Sequence, residues 1–143
     1  MYRKILCALD NSAADQTLLP HVTALARLLK SELLLLHVAD GWVARNFDQL
    51  QLSGSDEMKD DWSYLEKTAE RLRADSALEV NVFLALGNPP DQILKVAESE
   101  KCDLIAMTSH GHRFVGDLIH GRTIDVVRHK TSLPLLIVRA EKI

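Results

Sequence analysis

The sequence predicts an α/β fold, an open five-stranded parallel sheet of Rossmann-like type with helices on both faces. Two observations carry this. Five short apolar runs of strand length recur along the chain, and segments with helical period separate them. Four of the runs are nearly continuous in apolar character, as strands covered on both faces are. A third observation sets the scale: 143 residues suffice for one core, so residues 1–143 are expected to form a single domain.

The strands are expected at Ile5-Leu6-Cys7-Ala8-Leu9, Leu33 to Val38, Val80 to Ala85, Leu104 to Met107 and Leu133 to Val138. The third alternates more than the rest, which places it toward an edge. Ser12 is a candidate cap for a first helix carrying Leu18, Leu19, Val22, Leu25, Ala26 and Leu29, with a kink expected at Pro20. A second helix is predicted over Asp61 to Arg73, with Trp62, Leu65, Ala69 and Leu72 inward. A third runs from Asp91 to Glu100 behind Pro89 and Pro90, and a fourth from Arg122 to Lys130 with Ile124 and Val127 inward. Asp40 to Met58 has no sustained period and reads as a surface insertion. Strand and helix alternate throughout, so right-handed crossovers wind the sheet on both faces.

Composition narrows the function classes. Hydrophobic residues at 47% and charged residues at 26% describe an ordered globular chain. With 17 Lys and Arg against 20 Asp and Glu, the net charge of -3 favours neither nucleic acid nor an anionic membrane as partner, so any anion site must be local. No apolar run approaches the ~20 residues that span a bilayer. The N-terminal apolar stretch stops at Asp10, too short for a secretory signal. Cys7 and Cys102 have no metal or disulfide spacing and read as buried thiols in a reducing compartment. A cytoplasmic location is expected.

Ligands of open parallel sheets sit outside the carboxyl ends of the strands, where strand order reverses. Three features fall at such ends: Asp10 after the first strand, Val38-Ala39-Asp40 at the second, and Thr108-Ser109-His110-Gly111 at the fourth. The last leads through His112 to His120 into Gly121-Arg122-Thr123, read as the start of the fourth helix. Glycines and a helix N-terminus there suit an anion, or else the glycines merely shape a turn-rich connection. Gly116 to Thr123 matches the P-loop spacing except for Arg122 in place of lysine, but no strand directly precedes Gly116, so a P-loop is rejected. His110, His112 and His120 lack the carboxylate or cysteine spacing of a metal site. His37 in a strand needs no further role. No nucleophile with its base is evident, so no enzyme activity beyond at most a weak ATPase is expected.

Lys4-Ile5-Leu6-Cys7-Ala8-Leu9-Asp10-Asn11-Ser12, Leu34 to Val38, Gly87-Asn88-Pro89, Cys102 to Met107 and Leu133 to Arg139 run in one order over essentially the whole chain. Together they resemble the universal stress protein family. The resemblance implies strand order 3-2-1-4-5 and a homodimer in which the last strand, Leu133 to Arg139, pairs with its counterpart. It also implies a crevice for ATP or another adenine nucleotide, with Mg accompanying the nucleotide, lined by Asp10, Val38, Thr108, His110, Gly111, Gly121, Arg122 and Thr123. The family's spacing G-x-x-G-x9-G-[ST] survives in this chain, but Thr108 stands for the first glycine and Arg122 for the final hydroxyl residue. Arg122 can bind phosphate, or fold across the crevice beside Asp10 or Asp117 and leave a pure interaction protein.

Overall fold

A computed structural model describes residues 1–39, 51–109 and 117–140, with the side chains of 51–57 and 117–121 outside the description. The elements are β1 (Lys4–Leu9), α1 (Asp15–Leu29), β2 (Glu32–Ala39), α2 (Gln51–Ser76), β3 (Val80–Leu86), α3 (Pro89–Ser99), β4 (Leu104–Ser109), α4 (Asp117–Lys130) and β5 (Leu135–Arg139). All strand pairs are parallel and the order is β3-β2-β1-β4-β5, with β3 at an edge as its alternation predicted.

Residue parity along each strand divides the interior into two layers. Ile5, Cys7, Leu9, Leu33, Leu35, Val80, Leu104 and Ala106 pack with α1 and α2 residues such as Leu18, Val22, Leu65 and Ala69. Leu6, Leu34, Leu36, Ala85, Ile105 and Met107 pack with Ile93, Val96 and Ala97 of α3 and Val127 of α4.

Local chemistry sets the joints. α1 ends at Lys30 in a left-handed conformation, its N–H bonded to the Ala26 carbonyl. Gly87 turns the chain at a φ of 134° that other residues rarely adopt. Asn88 then caps α3 by accepting from the Asp91 N–H, and Pro89 occupies the first helical position. At the amino edge of the sheet the Asp103 carboxylate accepts the N–H groups of Arg3 and Lys4, holding β1 level with β4.

Four expectations change. The N-cap of α1, which holds Pro20 in its interior, is Ala14, which makes no side-chain cap; Ser12 Oγ lies two residues earlier and accepts the Ala14 N–H at 3.3 Å. α2 starts at Gln51, so part of the segment read as an insertion is helical; Gly54 hid it by breaking the pattern. The remainder, 40–50, lies outside the described residues. Within α2 it is Asp61, Leu65, Thr68, Ala69 and Leu72 that are buried, while Trp62 is 45% exposed. α4 starts at Asp117, so Gly121-Arg122-Thr123 occupies its interior and not its N-terminus.

Leu35 is fully buried in β2, paired with Cys7 on one side and Val82 on the other. Leu35→Ala is expected to lower stability by about 2–5 kcal/mol through lost transfer energy and a residual cavity. Urea denaturation followed by circular dichroism measures it.

Candidate functional site at the carboxyl ends of β1 and β4

The chain leaves β1 toward β2 on one side and returns to β4 on the other, so the carboxyl ends of β1 and β4 mark the switch point. The β1–β2 ladder runs to the last residue of β1, Leu9 with His37. The β1–β4 ladder stops at Cys7 with Ala106 although both strands continue. The final residues of the two strands are therefore unpaired with each other, and this parting is where the topology allows a crevice.

Asp10 follows β1 at the rim and accepts a hydrogen bond from Ser12 Oγ at 2.6 Å. Val38 is half-buried against the α3/α4 layer. Thr108 is buried, and as the second residue after Ala106 it shares that residue's face, toward α1. Its side chain is thus taken into the α1 layer, which the sequence alone did not show. His110 and Gly111 lie outside the described residues. Gly121, Arg122 and Thr123 sit one turn inside α4, because helix formation begins at Asp117; Thr123 is buried and Arg122 exposed. That exposure gives the closed crevice no support.

Behind the rim lies a polar network that sequence reasoning missed. Asp15, fully buried at the first position of α1, accepts the Asp10 N–H at 3.1 Å, the Asn11 N–H at 2.9 Å and the Tyr64 hydroxyl at 2.6 Å. Burial pushes its carboxyl up to about 6; the Tyr64 hydrogen bond works against this and the Asp10 charge adds to it. Burial, reinforced by Asp15, pushes the Tyr64 phenol upward. Asn11, at a left-handed φ of 58° that asparagine tolerates, donates through Nδ2 to Asp61 Oδ1 at 2.9 Å. The other Asp61 oxygen stands 3.2 Å from His37 Nε2, and His37 Nδ1 stands 2.9 Å from the Leu9 carbonyl oxygen. The strand histidine thus does have a role, joining β1, β2 and α2. The signal available in the sequence was three carboxylates and a histidine at positions that share one sheet end.

Among the described residues no group of three His, Cys, Asp or Glu is placed to hold a metal ion. No helix among them is long and apolar enough to cross a membrane.

Residues 1–139 match the family described as the universal stress protein family. The chain belongs to the universal stress protein family. Universal stress protein MJ0577 of Methanocaldococcus jannaschii is 28% identical over 159 residues, covering 97% of this chain and 96% of that protein. Its solved structure superposes with a TM-score of 0.76 over 100% of this chain and 99% of its own. YxiE of Bacillus subtilis is 25% identical over 152 residues, covering 97% of this chain and 100% of the relative. Two further family structures share the fold. One is a universal stress protein in complex with cAMP, 16% identical, with a TM-score of 0.73 over 98% of each chain. The other is the Archaeoglobus fulgidus protein in complex with dAMP, 20% identical, with a TM-score of 0.69 over 96% of this chain and 98% of that one.

The raised Asp15 carboxyl carries a sign. A folded value above the ordinary 3.8 means the native state holds the proton longer than the unfolded chain, so this group's contribution is favourable below 3.8 and is lost as pH rises through about 6. Wild type is expected to lose stability relative to Asp15→Asn across that window and to run parallel to it above. Urea midpoints of both proteins over a pH series test this.

Proposed function

We propose that this universal stress protein is a stress-response binding module that takes ATP or another adenine nucleotide weakly at the parted ends of β1 and β4. Mg arrives with the nucleotide, and the chain supplies binding and no catalysis. The observation that carries the reading is the β1–β4 ladder ending at Cys7–Ala106 with Asp10 at the rim. A carboxylate there accepts hydrogen bonds from a ribose hydroxyl or an exocyclic amine. Val38 offers apolar surface beside it. On the far side the first turn of α4, 117–120, has backbone N–H groups without intrahelical partners and the positive end of the helix dipole. Arg122, exposed on the next turn and without an ion pair among the described residues, is free to reach phosphate. The cAMP and dAMP complexes of two proteins with this fold support the adenine class.

The working unit is proposed to be a homodimer joined through the last strand, Leu133 to Arg139. β5 ends the sheet, and Ile137 in it is 39% exposed, an apolar edge that a second copy of the strand would cover. A further protein partner would read the module's state in the cytoplasm.

Calorimetric titration with ATP, AMP and adenosine separates the parts. Asp10→Ala is expected to weaken all three about tenfold or more, the scale of a lost hydrogen bond to a charged group. Arg122→Ser is expected to weaken ATP severalfold and leave adenosine unchanged. No binding of any of the three to wild type overturns the nucleotide reading. Sedimentation equilibrium is expected to give a dimer for wild type and a monomer for Ile137→Lys; a monomeric wild type overturns the edge-strand interface.

A further inference from the structure

We propose that His37 and Asp61 are a proton-linked positioning pair, in which the doubly protonated imidazole fastens α2 and the carboxyl end of β1 in the arrangement that presents Asp10. The inference borrows the nucleotide reading only for its ligand readout.

The argument starts from donor bookkeeping. The Leu9 carbonyl oxygen accepts and cannot donate, so a bond to it at 2.9 Å requires a proton on His37 Nδ1. An ionised carboxylate likewise only accepts, so the 3.2 Å approach of Asp61 Oδ2 is attractive when Nε2 also carries a proton. Neutral imidazole has one N–H and serves one of these partners. Against the other it turns a lone pair. The imidazolium serves both.

Burial raises the stakes. Both side chains keep only 12% of their surface exposed, so water is a poor substitute for a missing partner. Asp61 has Asn11 Nδ2 on its other oxygen, and Asn11 also gives its backbone N–H to Asp15. The residue between Leu9 and Asn11 is Asp10. It is therefore held from both neighbours, by the Leu9 carbonyl on His37 and by Asn11 on Asp61 and Asp15.

The charged and titratable surroundings point the same way. The β1 end and α1 contribute Asp10 and Asp15, and α2 contributes Asp61 and the Tyr64 hydroxyl bonded to Asp15. The neighbouring strand β3, Val80–Leu86, has no titratable residue. A protonated His37 thus stands against the Asp61 carboxylate, with Asp10 and Asp15 on the connection that Asn11 ties to it. The tie is made at lower pH and is released at its Asp61 end as pH rises, where a neutral ring keeps the Leu9 bond and loses the carboxylate.

The test needs no ligand at first. In ligand-free protein labelled with nitrogen-15, both His37 ring nitrogens are expected to show protonated shifts at low pH. One is expected to lose its proton as pH rises, with the Asp10 and Asn11 backbone amides and the Asn11 side-chain amide moving at the same midpoint. Asp61→Asn is expected to lower that midpoint and uncouple the amides. A His37 ring that titrates without moving those amides, or a midpoint unchanged in Asp61→Asn, overturns the proposal. Adenosine affinity is then measured over the same pH range. Wild type is expected to weaken severalfold as pH rises through the His37 midpoint, and His37→Gln to show no such step. A flat profile in a wild type that does bind adenosine overturns the positioning role. If no adenosine binds at any pH while the amides titrate as expected, the nucleotide reading falls and the proton-linked pair stands.

Discussion

The central position of β1 constrains nearly everything else in the molecule. It is paired on both sides and buried on both faces, with Ile5, Cys7 and Leu9 in one layer and Leu6 in the other. Its two neighbours are reached by connections of opposite direction, so helices must cover both faces. Beyond the Cys7–Ala106 pair the two central strands part. The crevice is thus a result of topology before any binding residue is considered.

Polar burial at this sheet end is the second organising fact. A buried carboxylate is costly unless it is paired, and Asp15 and Asp61 meet that cost in different ways. Asp15 gathers two backbone N–H groups and a phenol, and still keeps its proton to higher pH than usual. Asp61 takes an amide and an imidazole. Between them they specify the path of the β1–α1 connection more tightly than an apolar patch of the same size, because each bond has a direction and each missing bond carries a penalty.

Much of the architecture was readable from apolar period alone. The strand at Leu33 to Val38 and the helix behind Pro89 and Pro90 appear where pattern and caps place them, since burial on both faces and proline at a first helical position leave few alternatives. The misplacements share a cause. Trp62 was read onto the apolar face and Asp61 only as the start of its helix, because hydropathy cannot know that a carboxylate will find a histidine from another element. The start of α4 was read late, since Gly121 looks like a boundary in sequence and is helical in the chain. Of the candidate site, Asp10, Val38 and Thr108 gather at the expected sheet end, while the phosphate side depends on tertiary placement that spacing does not encode.

The two cysteines show what deep burial means for a protein of this family. Cys7 sits in the α1/α2 layer and Cys102 in the α3/α4 layer, both as free thiols. Burial, with the charge of Asp15 added, holds the Cys7 thiol well above its ordinary range, and burial pushes Cys102 up to about 11. Since the thiolate is the species that oxidants and electrophiles attack, neither sulfur is available while the layers stay closed. The cysteine thiols of the folded chain are therefore shielded from oxidants, and covalent damage at either would record that its layer had opened.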